Sequence, residues 1–476
     1  MSSAAPPQRS RRRRALTAVA VAAAVLVAAA GTGLFVAYRH LDANIETINV
    51  QDDLGSLRPS APTTDPQQQY APLNLLVMGS DARKGQGSGY GSAAVYSGAR
   101  SDTTMLVHLS ADRQRALVVA VPRDTIVDIP SCTTANGSSS PRTARFNEAF
   151  DIGGPACTIK TFEAATDIFV DHFVVVDFTG FKRMVDALGG VTVCVAEDVD
   201  DPQSGLVLSA GTHVVKGEQA LAFVRARKSI GDGSDISRID RQQAFMASLV
   251  SSAKSTSLLL DPVKLYRVLD AATQSLTTDP ELGSLNALRQ LAQSVTGIDP
   301  DDVTFVTVPW FANDDGATVS IKEDEAERLF AAVRGDQPWP PPPLPTASPS
   351  GPPLKTAPSD IRVTVVNATG TPGRAKEVAA ELRELGFQIA GVDTADAVEA
   401  VTTVRYSPSR DESGRTLTAS VKGAQSVVDD SLGRTLVLVV GTDYQGLLRV
   451  VVPGATSTPT ASASATPRTA DADVCS

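Results

Sequence analysis

The 476-residue chain is poor in the groups on which much protein chemistry depends. It has only four histidines and four cysteines. The histidines (His40, His108, His172, His213) stand apart from one another, and His108 and His172 lie in strand-like runs that read as packing positions. No Ser-His-Asp arrangement is visible. The glycine-rich stretch 85–98 lacks the Lys-Ser/Thr ending and the following helix that a phosphate loop requires. The cysteines (Cys132, Cys157, Cys194, Cys475) have no zinc-ligand spacing. Positive charge is also short: 43 basic against 53 acidic residues give a formal charge of −10. That balance argues against nucleic acid as a partner and requires any anion site to be a local basic cluster. No internal repeat is found.

Long hydrophobic runs are equally scarce, with one exception. Arg9 and Arg11 to Arg14 precede an uncharged Ala/Val/Leu run from Ala15 to Tyr38. Its 24 residues exceed the roughly 20 that span a bilayer. This run reads as an anchor rather than a cleaved signal peptide, whose apolar stretch is shorter. The arginines predict a cytoplasmic N-terminus (1–14), a transmembrane helix (15–38) and an extracytoplasmic remainder. Residues 39–70 read as a polar tether. In an exported chain disulfides form, and Cys132 with Cys157, which flank a Ser/Thr/Asn/Gly loop, is the favoured pair among three complete pairings.

Beyond the tether the pattern is α/β, with helices on both sides of a mixed sheet. Strands are expected at NLLVM, ending in a Gly-Ser-Asp turn, after Asp102 in RSDTTMLVHLS and at Ala116–Val121, then near 172–178, 191–195 and VTFVTV. Helices are expected near 158–168, 178–188, 261–276, 281–297 and 321–334. The first domain spans 71–335. A proline-dominated spacer (336–359) leads to a smaller α/β domain (360–445), and a Ser/Thr/Ala/Pro-rich tail (446–476) reads as disordered.

Charged residues collect at strand ends: Asp81, Arg83, Arg100, Asp102 and Arg123. A second group surrounds VRARKSIGDGSDISRIDRQQ. There Arg225 and Arg227 are two apart, and a helix opens at Ser234 or Asp235. On that helix Asp235, Arg238 and Gln242 fall within ~60° of one another, on the face that also carries Ile239 and Phe245. An extended segment would present Arg225 and Arg227 on one side, whereas a helix would separate them. Singly, each charge is readily a turn cap or an internal ion pair. Together, two carboxylates and several guanidiniums suit a diphosphate with a divalent metal.

These blocks in this order, from NLLVMGSDAR through RSDTTMLVHLS, VVAVPRDTIVDIP, FNEAFDIGGP and VDFTGFKRMVDALGGV to VRARK…SRIDRQQ, resemble the LytR-CpsA-Psr family of cell-wall phosphotransferases across 72–255. The resemblance implies a membrane-anchored enzyme. Such an enzyme moves a glycopolymer from a polyprenyl-pyrophosphate carrier to peptidoglycan and leaves a phosphodiester. By the same resemblance Asp81 and Asp102 would hold Mg²⁺ (or Mn²⁺). Arg83, Arg100, Arg123, Arg225, Arg227 and Arg238 would grip the pyrophosphate with Gln242 beside them. Asp235 would orient arginines or act as base, and Arg123 would also assist the chemistry. The segment 361–441 resembles the small C-terminal domain appended to actinobacterial members.

Overall fold

The computed structural model describes residues 9–63, 68–80, 101–134, 136–226, 235–253, 261–341, 353–452 and 468–469. The chain divides into two units, one holding residues 1–340 and the terminal residues 464–476, the other residues 341–463.

The first unit begins with α1 (Arg9–Ala43). Its stretch Leu16–Ala43 contains an 18-residue window with a mean hydropathy of 2.4 and no buried residue, and is long and apolar enough to cross a membrane. The segment after α1 is not the tether expected from its polar composition. Only Asn44 and Ile45 separate the helix from β1 (Glu46–Thr47), which pairs in parallel with β8 (Leu276–Thr278). Then α2 (Gln51–Leu54) sinks Val50 and Leu54 into the main core. Arg58 closes the segment by donating to both oxygens of the buried Glu163 carboxylate and to the Val170 carbonyl. Composition hides this attachment because three apolar or ionic anchors hold many polar residues.

The middle of the central sheet is β5 (His172–Asp177), β2 (Leu73–Ser80), β3 (Ser101–Leu109) and β4 (Ala116–Val121). β9 (Val303–Thr307) runs parallel to β4, and β15 (Arg468–Thr469) forms the edge. The full order is β1-β8-β5-β2-β3-β4-β9-β15. Strand alternation sets the two faces. Leu76, Met78, Leu106, Leu117 and Val119 face one core with α3 (Glu148–Thr166) and α9 (Glu323–Arg334). Met105, Val118 and Ala120 face the other, against Ile239 of α6 (Asp235–Ala253). β4 is buried along its whole length because both faces are covered. α4 (Phe178–Leu188) and α7 (Pro262–Thr273) pack on one another, and α8 (Leu285–Ser294) comes after β8.

Several elements differ from expectation. α3 starts ten residues early, and Gly153 and Gly154 depart from helical geometry within it. That Gly-Gly-Pro kink is what makes the sequence read as a break. The run before Arg225, for which the sequence leaves strand and helix both open, is a helix, α5 (Gly217–Arg225), entered through Gly217 at φ 45°. Cys132 and Cys157 form the expected disulfide, pinning α3 to the loop before it.

The second unit is a five-stranded sheet of β10 (Arg362–Asn367), β11 (Gln388–Thr394), β12 (Thr403–Tyr406), β13 (Gln425–Val428) and β14 (Leu436–Val440). Its order is β11-β10-β14-β12-β13. α10 (Arg374–Glu384) and α11 (Asp411–Ala419) cover it, and Val363, Val365, Leu382, Leu417 and Leu438 form its core. β11 and β13 escape a reading by periodicity because their residues are largely exposed and carry no apolar alternation. The unit extends past the expected boundary, with Leu447 buried.

Candidate active site

The sheet register brings several strand ends to one rim. Ser80 at the end of β2 lies opposite Ser101 at the start of β3 and beside Asp177 at the end of β5. Thr104 pairs with Val121 at the end of β4, so Asp102 and Arg123 project from adjacent strands. Asp102, Arg123, Gln203, Ser204, Val224, Arg225 and Gln242 line a cavity of about 240 Å³ there.

Arg123 organises it. Its Nη1 donates to Asp102 Oδ1 at 2.8 Å and its Nε to Asp124 Oδ2 at 3.2 Å. Arg145 approaches the other oxygen of Asp124 at 3.6 Å. The guanidinium is mostly buried, which strengthens these charge-assisted bonds relative to solvent. Among the described residues Asp102 Oδ2 accepts no hydrogen bond, whereas Oδ1 is taken by Arg123.

Gln242 ties three elements together. It accepts from Thr103 Oγ1 on β3 at 3.1 Å and donates to the Val224 carbonyl at the end of α5 at 3.2 Å. Its neighbour Arg241 donates to the Ala226 carbonyl. The helix that lifts these groups is held from below by buried Ile239 and Phe245, as the shared face required. Arg225 is the last residue of α5 and stacks over the Phe178 ring at 5.1 Å. The chain turns extended at Ala226 (ψ 140°), which ends α5 at Arg225.

Thus Asp102, Arg123, Arg225 and Gln242 line one cavity. Asp81, Arg83, Arg100 and Arg227 lie outside the described residues. Asp235 and Arg238 belong to α6, whose backbone is described there without their side chains. Sequence reasoning misses Gln203 and Ser204, on the turn between β6 (Val199–Asp201) and β7 (Leu206–Leu208). Asp201 Oδ1 accepts from both their amides, and Gly205 at φ 75° closes the turn. The D-P-Q-S-G string is a legible turn signal, but nothing local aims it at the cavity.

A second polar cluster stands at the opposite rim. His172 Nδ1 lies 3.2 Å from Asp279 Oδ1 and 3.9 Å from Glu281 Oε2. Asp279 also accepts from the amides of Phe173, Glu281 and Leu282 and from Thr278 Oγ1. Its oxygens are committed to fixing the β8–α8 corner, which makes this cluster structural.

The profile of the LytR_cpsA_psr family matches residues 37–334, more than half of the chain. The chain belongs to the LytR-CpsA-Psr family. A second profile, described as LytR cell envelope-related transcriptional attenuator, matches 360–444. This LytR-CpsA-Psr protein is similar to the cell wall biosynthesis protein LcpA of Corynebacterium glutamicum: 31% identical over 374 residues, 73% of this chain and 70% of that one. It is 35% identical over 191 residues to the polyisoprenyl-teichoic acid–peptidoglycan teichoic acid transferase TagT of Bacillus subtilis, covering 39% of this chain and 54% of that one. Among solved structures, a LytR-Csp2A-Psr enzyme from Actinomyces oris aligns at a TM-score of 0.46 and 23% identity, over 61% of this chain and 96% of that one.

Proposed function

We propose that this protein is a membrane-anchored phosphotransferase that moves a glycopolymer from a polyprenyl-pyrophosphate carrier to peptidoglycan. The observation that carries the reading is the convergence of Asp102, Arg123, Arg225 and Gln242 on one cavity in a LytR-CpsA-Psr chain. Two curated relatives point the same way, one named for cell wall biosynthesis and one for transfer of teichoic acid to peptidoglycan.

In this reaction a hydroxyl of the peptidoglycan sugar attacks the polymer-side phosphorus. A new O–P bond forms, the bond to the bridging oxygen breaks, and prenyl phosphate leaves. The hydroxyl proton passes to a carboxylate, for which Asp235 is the candidate. Arg123 and Arg225 face the charge that grows on the bridging and non-bridging oxygens, in a setting held rigid before the reaction. Arg83, Arg100, Arg227 and Arg238 complete the pyrophosphate grip. Asp102, with Asp81, would hold Mg²⁺ or Mn²⁺, and the open oxygen of Asp102 fits a ligand role. A bound divalent ion supplies Lewis-acid neutralisation of the diphosphate. The five leading arginines support a cytoplasmic N-terminus, with the cavity outside.

The test uses the full chain in vesicles with a lipid-pyrophosphate oligosaccharide and peptidoglycan fragments, with Mg²⁺, Mn²⁺ or chelator. Expected products are a phosphodiester-linked conjugate and prenyl monophosphate, lost with chelator and in Asp102→Ala. Prenyl monophosphate without conjugate would make the protein a hydrolase.

A further inference from the structure

The attachment of the body to α1 carries a consequence for the surface beside it. Two residues between the helix and the sheet cannot span more than about 10 Å even when extended. Side chains tighten that junction further. His40 Nε2 lies 3.1 Å from Asp270 Oδ1, and Asn44 Nδ2 donates to Asp270 Oδ1 at 3.0 Å and Thr273 Oγ1 at 3.2 Å. Asp42 Oδ1 accepts from the Leu285 amide at 2.9 Å, capping the approach to α8. The C-terminal end of α7 is therefore bolted to the last turn of the helix that reads as the membrane span.

At ~100° per residue, Val263, Tyr266, Asp270 and Thr273 occupy one stripe of α7 about 80° wide. The far end of that stripe holds α1. Its near end is bare: Val263 is 60% exposed and Tyr266 37%, with Leu269 beside them at 36%. So the face that grips the span also presents apolar side chains, about 10 Å along α7 from that grip. Arg267 borders the stripe and forms no ion pair among the described residues, whereas Lys264 lies on the opposite face with its Nζ beside Gly189 at the end of α4. In a chain of net charge −10, this is an apolar patch with a basic border.

We propose that α7 rests on the outer surface of the bilayer at the exit of α1, with Val263, Tyr266 and Leu269 at the headgroup–acyl boundary and Arg267 on lipid phosphate. An amphipathic helix with an aromatic at headgroup depth and a basic residue at its border fits that boundary. Docking would fix the orientation of the catalytic body over the membrane, so that a membrane-borne donor meets the cavity from a constant direction. The proposal rests on the reading of α1 as a span with the body outside.

The experiment places the full chain in vesicles containing anionic phospholipid and replaces Tyr266 by tryptophan. Emission added to that of Trp310 and Trp339 is read with plain and brominated lipid. The expected result is loss of most of the added emission in brominated lipid and a shift to shorter wavelength. Val263→Glu with Leu269→Glu in the same background should restore the emission. Arg267→Glu should restore part of it in anionic lipid and none in neutral lipid. Circular dichroism verifies that each variant is folded. Unquenched emission from a chain that resists alkaline carbonate extraction overturns the docking alone. Release of the chain by carbonate overturns the span reading and the docking with it.

Discussion

At the end of β4, Arg123 reaches across to Asp102 and Asp124; at the end of β10, in the C-terminal unit, Asn367 turns back on its own loop. Asn367 Oδ1 accepts from the amide and hydroxyl of Thr369, and its Nδ2 donates to the Thr371 carbonyl. Both units are α/β layers over an aliphatic core, and both end strands in polar loops. The difference is who meets whom. In the first unit β3, β4, α5, α6 and the Asp201 turn each contribute one or two groups to a shared cavity. In the second, a loop satisfies itself within five residues. A polar strand end is therefore no site in itself; convergence of separate segments around half-buried charge is what separates the two.

The two units can be set apart most forcefully through their cores. Leu438 is fully buried in the second unit, and Leu438→Ala should cost about 2–5 kcal/mol. Calorimetry should show one transition lowered and the other unmoved. A common downward shift would mean that the units do not unfold separately.

Removal of charge should divide them again. Arg123→Ala should lower the transfer rate by about two to three orders of magnitude, the range for removing a donor to developing charge. Glu399→Ala breaks the half-exposed pair with Arg405 in the second unit and should leave the rate within about twofold. Equal losses in the two variants would erase the distinction between site and scaffold.

The smallest effect concerns the opposite rim. Burial works against a charged His172, but the hydrogen bond and charge of Asp279, with Asp171 and Glu281, outweigh it and hold the imidazole above its ordinary value. A raised folded-state value means that the stabilisation is complete below about pH 6.5, the unfolded imidazole value, and fades as pH rises through the folded one. Thermal melts between about pH 6 and 8 should slope downward in the wild type and be flatter in His172→Gln. Identical slopes would remove this pair from the pH dependence.

Legibility in the sequence tracks the range of the interactions. The central strands are visible because both their periodicity and their neighbours are local; so is α6, through the face shared by Ile239, Phe245 and Gln242. The order of the sheet is not, since β8 and β9 join β1 and β4 from far along the chain. At the site, Asp102, Arg123, Arg225 and Gln242 are readable from their positions in blocks. Gln203 and Ser204 are not, because their place at the cavity depends on how the β6–β7 hairpin folds over it. The polar segment after α1 misleads because a few buried anchors outweigh many exposed polar residues.

The parallel pairing of β4 with β9 also has a meaning in time. β2, β3 and β4 form a meander from neighbouring sequence and can assemble early. From Val121 until Val303 is available, however, the outer edge of β4 has no partner, and the strand most completely buried in the finished sheet presents bare amides and carbonyls. β1 waits similarly for Leu276. A nascent chain halted anywhere between those points would carry a sticky, half-built sheet. Premature termination in the 122–302 interval is therefore worse than a loss of function: it leaves the hazardous part of the molecule without the strand that seals it.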